Sequence, residues 1–157
     1  MAIYLKFDSV KGSSTTEGFK DQIELNSFQW GAGLGVSSAR GGSRTSSEPS
    51  VSEITASKVS DKSSQGLFKA LLKGEPVGKG TISFTAASKG EAIAYATIDI
   101  EDVIVSGFSM SSGGDFPSES ISLNFTKFDF VWIGRNDQQE GDPVHLIYDL
   151  ETNKVNG

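Results

Sequence analysis

The sequence contains no cysteine and only one histidine, and its acidic residues outnumber its basic ones, 20 to 14, for a net charge of −6. Without cysteine there are no disulfides, no thiolate nucleophile and no cysteine-held zinc or iron–sulfur centre. The single imidazole, His145, lies in PVHLIYDL between apolar neighbours. A strand histidine in such a setting is a packed or edge residue, and no second histidine exists to serve a serine nucleophile as base. The negative balance opposes a phosphate backbone and an anionic bilayer surface alike, so no nucleic-acid and no membrane partner is expected. No apolar run approaches the roughly 20 residues of a membrane-spanning helix. The opening MAIYLKFDSV carries Lys6 and Asp8 and lacks the apolar stretch of a secretory signal, so any export is expected to proceed without a cleaved signal peptide.

What is present points to β structure. The chain has 157 residues, with 18 glycines, ten phenylalanines and only four prolines. That length suits one domain over 1–157, and that composition suits many strands joined by tight turns. Residues 2 to 8 alternate Ile3, Leu5 and Phe7 against Tyr4, Lys6 and Asp8, as a half-buried strand does. From Asp21 to Gly31 a second strand sets Glu24, Asn26, Phe28 and Trp30 against Ile23, Leu25, Ser27 and Gln29, apolar on one face early and on the other late. Residues 31–50, GAGLGVSSARGGSRTSSEPS, read as a loop extended over about 35–49, with Arg40 and Arg44 as its cations. Ser50 to Ser60 is strand-like, with Val51, Glu53, Thr55, Ser57 and Val59 on one face. Thr81–Ala87 and Ala92–Ser106 form a hairpin across ASKGE.

Two further segments change the parity of their apolar residues. In the second arm of the hairpin it moves from Ile98 and Ile100 to Val103 and Val105 across Glu101 and Asp102, which a bulge explains. In ISLNFTKFDFVW it moves from Ile121, Leu123 and Phe125 to Phe128, Phe130 and Trp132, so the buried face changes near Thr126 and Lys127. A last strand covers Val144 to Leu150, for about seven strands in all.

One stretch alone reads as helix. In DKSSQGLFKALLKG, Ser63 or Ser64 is placed to cap, and Leu67, Phe68, Leu71 and Leu72 form an apolar stripe. Lys69 and Lys73 lie toward the negative end of the dipole, and Gly74 and Pro76 stop the helix. A helix over about residues 64–73 is too short to stand alone in water, so its stripe must dock on a sheet or a barrel mouth.

Candidate chemistry is sparse. GAGLG at 31–35 follows a strand but no helix comes after it, so a phosphate would find no row of N–H donors there. Asp99 and Glu101 share a strand face about 7 Å apart, compatible with paired carboxylates, but solvated or inter-subunit charge is the reading preferred. DIED and DFPSES lack the spacing of a calcium loop. No cofactor and no metal is expected, and no enzymatic activity. Phe128, Phe130 and Trp132, joined by Phe28 and Trp30, suit either a core or a sugar-stacking platform on a carbohydrate-binding β-sandwich; a core keeps them dry and a platform keeps them wet.

The order of IELNSFQWG, the long Gly/Ser-rich loop, DKSS opening the one helix, VIVSGFSMSSGG and ESISLNFTKFDFVW resembles the Hcp family, the haemolysin-coregulated tube proteins of type VI secretion. SFQWG, DKSS, VIVS and SLNF are the most family-like pieces, and the likeness spans nearly the whole chain. The resemblance implies a small two-sheet antiparallel β-barrel with one flanking helix, closing into hexameric rings that stack as the inner tube of a contractile injection machine. It implies that the protein is made in the bacterial cytoplasm and exported by that machine. The partners it implies are further copies of the chain, a spike at the tip, a sheath outside and small effector proteins in the lumen. The resemblance places Ser27 and Gln29 on the luminal face. Arg40 and Arg44 are then expected to reach a neighbouring copy, with Asp99, Glu101, Asp102 and Asp115 as acidic candidates for the other side. The short tail after Leu150 argues against a fused toxin domain.

Overall fold

The computed structural model describes residues 1–37, 47–134 and 142–157. Apolar residues at every second position, bent through bulges and crossovers, organise these residues into two antiparallel sheets that share one long strand. The larger sheet contains β1 (Ala2–Phe7), β2 (Ile23–Leu25), β7 (Gly78–Ser88), the first half of β8 (Glu91–Ser111), β10 (Lys127–Trp132), β11 (Val144–Asp149) and β12 (Lys154–Asn156), in the order β12-β11-β10-β8-β7-β1-β2. The smaller sheet pairs β3 (Ser27–Gln29) with β6 (Ile54–Val59), β6 with β9 (Ser118–Asn124), and β9 with the second half of β8. A separate two-stranded arm, β4 (Ala32–Gly33) and β5 (Ser50–Val51), stands between β3 and β6 in the chain.

β8 crosses from one sheet to the other at the bulge expected from parity. The register with β7 slips between Gly78 and Gly80, and Asp102, with φ of 53°, turns Val103 and Val105 inward. The second parity change is a crossing too: β9 belongs to the smaller sheet and β10 to the larger, with Phe125 and Thr126 between them. The two sheets face each other across Leu5, Phe7, Ile23, Ile54, Ile82, Ile98, Ile100, Ile121 and Leu123, all fully buried. At the opposite corner Asn26 alone separates β2 from β3 and no ladder joins those two strands, so the two sheets form a barrel that is not closed by hydrogen bonds there.

Some boundaries differ from the sequence reading. Asp21–Gly31 forms two strands in different sheets because the backbone bends at Asn26, whose N–H bonds the Ser57 carbonyl at 2.7 Å. Ser50–Ser60 likewise splits into β5 and β6. The β7–β8 hairpin closes through two residues, Lys89 and Gly90, both with positive φ, matching the right-handed twist of the flanking strands. The helix α1 (Ser64–Lys73) has the predicted limits, with Gly74 in the left-handed conformation closing its C-terminus onto the Ala70 and Leu71 carbonyls; Ser63 holds the N-cap position but makes no side-chain capping bond, its hydroxyl going to Asp61 and that of Ser64 to Glu119. Only part of its stripe docks. Leu67 is fully buried and Leu71 half-buried, whereas Phe68 stacks on Phe108 at 4.8 Å and is otherwise exposed, and Leu72 stands in solvent.

Candidate assembly and cargo surface

The smaller sheet has two chemically opposite faces. Inward, Phe28, Ala56, Ile121 and Phe108 form one cross-strand row. Outward, the adjoining rows are Ser27, Ser57, Ser120 and Ser109, then Gln29, Thr55, Ser122 and Gly107. None of these outward side chains carries a charge. The Ser27 and Ser57 hydroxyls are hydrogen-bonded at 2.5 Å, and the Ser106 hydroxyl donates to the Ser122 carbonyl at 3.3 Å. Ser27 and Gln29 are exposed while Phe28 and Trp30 pack against the core, the opposition that strand alternation demands.

The acidic candidates are not one cluster. Asp99 is exposed but already accepts the Thr81 hydroxyl at 2.7 Å. Glu101 lies opposite Lys127 and pairs with Lys79 at 3.3 Å. Asp102 is exposed at the bulge. Asp115 lies in the β8–β9 connection past the far end of β8, roughly 30 Å further along at strand rise. Asp129, directly across from Asp99, holds His145 at 3.0 Å, which accounts for the lone imidazole as a partly exposed sheet residue. Arg40 and Arg44 lie outside the described residues.

A buried polar cluster under α1 was missed by sequence reasoning. Lys58 and Glu119, opposite one another on β6 and β9, both point inward and are fully buried. The Lys58 Nζ donates to Glu119 Oε1 at 2.8 Å and lies 3.1 Å from Asp61 Oδ1. The hydroxyls of Ser60 and Ser64 donate to the two Glu119 oxygens, and Asp61 accepts both the N–H and the hydroxyl of Ser63. Burial raises the Glu119 pKa, but the bonds from Lys58, Ser60 and Ser64 outweigh it and hold the carboxyl below its ordinary value. For Asp61 burial is likewise overcome, by Ser63 and Lys58. The cluster fastens the start of the helix to the smaller sheet. Parity was the available signal: Lys58 shares a face with Ile54 and Ala56, and Glu119 with Ile121 and Leu123.

The aromatic set is mostly dry. Trp30 meets Phe128 edge-on at 4.7 Å and Phe125 at 6.1 Å, and Phe128 is buried. Trp30 and Gln29 also border a cleft at the root of the arm, lined by Gly31, Ser52, Glu53 and Thr55. There the arm continues as a hairpin, Ser52 N–H bonding Gly31 O at 2.8 Å and Ser47 N–H bonding Gly35 O at 2.9 Å.

Among the described residues no three metal-ligating side chains gather, and no helix is long and apolar enough to cross a membrane. No curated protein matches the chain in sequence. Solved structures do. One described as a type six secretion system protein superposes with a TM-score of 0.89 at 24% identity, over 99% of both chains. Hcp1 from Salmonella typhimurium gives 0.80 at 23% identity, over 99% of this chain and 98% of its own. The secreted protein Hcp3 from Pseudomonas aeruginosa gives 0.66 at 19%, over 94% and 97%. At such identities these likenesses establish the fold. The family is set by a sequence model, that of the type VI secretion system effector Hcp, which matches residues 4–132, from β1 to the end of β10. The chain therefore belongs to the Hcp family and is a tube protein of the type VI secretion system.

Proposed function

We propose that this protein acts mechanically, without catalysis, as a subunit of stacked hexameric rings whose lumen is lined by the outer face of the smaller sheet. The observation that carries this reading is the uncharged, hydroxyl-rich surface centred on Ser27, Gln29, Thr55, Ser57, Ser109 and Ser120. A channel wall of short, neutral, hydrogen-bonding side chains holds a passing protein by many weak contacts and by no strong one, so small effectors are retained in the ring and still released. Family membership supports copies of this chain as its first partner, with a spike at the tip and a sheath outside. It also supports synthesis in the bacterial cytoplasm and export by the type VI apparatus. The arm that contains β4 and β5 reaches toward a neighbouring copy, and Arg40 and Arg44 are its contact charges.

The test is substitution at the wall. Gln29→Arg is expected to reduce co-purification of a small effector several-fold while ring mass stays unchanged. Unaltered retention with intact rings removes Gln29 from the lumen.

A further inference from the structure

The neutral outer wall of the smaller sheet ends at a charge. Because Ile54 pairs with Leu123 and Asn124 with Ile104, the two serine-rich rows are followed by a third, which runs Glu53, Asn124 and Ile104. Glu53, the residue that leads into β6, is exposed. No other outward position along β3, β6, β9 or the second half of β8 holds a charged side chain, since Lys58 and Glu119 both point inward. The Asn124 amide donates to Glu53 Oε1 at 3.3 Å. A neutral amide steadies one carboxylate oxygen without cancelling the charge, and among the described residues no cation pairs with Glu53. Beside it lies the cleft at the root of the arm, of about 640 Å³, to which Gln29 and Thr55 also contribute. The cleft is open over its glycines, for a Cβ added at Gly31 or Gly33 would meet no atom within 4 Å.

We infer that Glu53 determines the charge preference of the lumen: it takes a lysine or arginine side chain of the carried protein, and its copies around the ring form an anionic collar that retains basic cargo and repels acidic cargo. The inference rests on the ring reading above and names the cargo chemistry that this wall selects. Hydroxyl rows do not discriminate by charge, because a neutral hydrogen bond to a passing surface replaces one to water at little net gain. Discrimination then falls to the one ionised group. A lysine or arginine seated there makes a charge-assisted bond to the carboxylate, and the Gln29 amide oxygen and Thr55 hydroxyl are acceptors for its remaining N–H groups. An acidic segment at the same level meets a like charge, which is how charged surfaces reject wrong partners.

The probe is a dye-labelled pentalysine peptide, titrated with the assembled protein and followed by fluorescence anisotropy at physiological ionic strength, with ring mass checked by native mass spectrometry for every chain. Glu53→Gln removes one charge per subunit from the wall. Glu24→Gln removes the same charge from the exposed outer face of the larger sheet and serves as the control. Glu53→Gln is expected to weaken binding about fivefold, the upper scale of an exposed ion pair, while Glu24→Gln stays within about twofold of the unmodified ring. Glu53→Asp should keep most of the binding, and Glu53→Lys should take labelled pentaglutamate in place of pentalysine. Equal binding by intact Glu53→Gln and unmodified rings overturns the inference and leaves the ring reading standing. So does an equal loss in Glu24→Gln, which means that the peptide reads net charge alone. A Glu53→Gln chain that no longer forms rings also overturns it, since the carboxylate then holds the assembly and not the cargo. An unmodified chain that stays monomeric overturns the ring reading itself, and the collar with it.

Discussion

Replacing Lys58 with methionine probes the internal tie between α1 and the smaller sheet. Methionine preserves the length and apolar stem but leaves Glu119, fully buried, without its cation, and takes from Asp61 a partner at 3.1 Å. Breaking a buried pair from one side costs about 3–5 kcal/mol, because the remaining charge stays desolvated. The serines at 60 and 64 still donate to Glu119, which places the expected loss near the lower bound, about 3 kcal/mol. For a chain of this size that is a fall in Tm of roughly 6–12 °C. Adding Glu119→Leu to Lys58→Met removes the stranded anion and should recover more than half of the loss, since an apolar pair of similar volume replaces a buried ion pair at little cost. The assay is urea unfolding followed by circular dichroism on all four chains of the double-mutant cycle. Assembly stabilises by mass action, so protein concentration is held constant and ring mass checked for each. A single-variant loss under about 1 kcal/mol, or no recovery in the double variant, refutes the argument that the pair is desolvated and mutually dependent.

Acid should weaken the same tie. Both Glu119 and Asp61 titrate lower in the folded chain than when unfolded, so the unfolded state binds more protons, stability rises with pH, and their contribution is complete above about pH 5 and is lost as pH falls through the depressed folded values. Urea midpoints measured from pH 7 to 3 should decline below that point, and the decline should be much shallower in Lys58→Met/Glu119→Leu. At the arm, replacing Arg40 and Arg44 together with glutamate is expected to shorten tubes or dissociate rings, with the wild-type assembly itself weakening as salt rises, as exposed ion pairs worth about 0–1 kcal/mol each require. Unchanged tube length and ring mass in that variant would remove both arginines from any contact.

Alternation and punctuation carried most of the fold into the sequence. The C-terminal limit of the helix was legible because Gly74 adopts its left-handed closure locally, whereas at the N-terminus Ser63 holds the cap position without a side-chain capping bond and Ser64 donates to the distant Glu119. The bulge at Glu101 and Asp102 and the crossing at Thr126 and Lys127 were legible because a strand that keeps a dry face cannot change parity without bending. The split at Asn26 showed itself only as the parity change from Ile23 and Leu25 to Phe28 and Trp30, and it was read as one strand because β2 and β3 are three residues each. The exposed outer edge of the larger sheet, at β10 and β11, was hidden for a different reason. Phe130 and Leu146 have the pattern of core residues, and their exposure depends on where the other sheet ends, which periodicity does not encode. On the candidate surface, the opposition of Ser27 and Gln29 to Phe28 and Trp30 followed from strand geometry alone, while the serine rows across four strands needed the register. Lys58 and Glu119 went unnoticed because each, taken singly, is an ordinary surface residue type, and only their opposition on paired inward faces makes them a buried pair.

The most direct test of the account is the mass and shape of the purified chain at micromolar concentration. Native mass spectrometry and electron microscopy should show six copies of the 16.7 kDa chain in a ring with an open centre. A monomer at that concentration, with no ring particles, would contradict it.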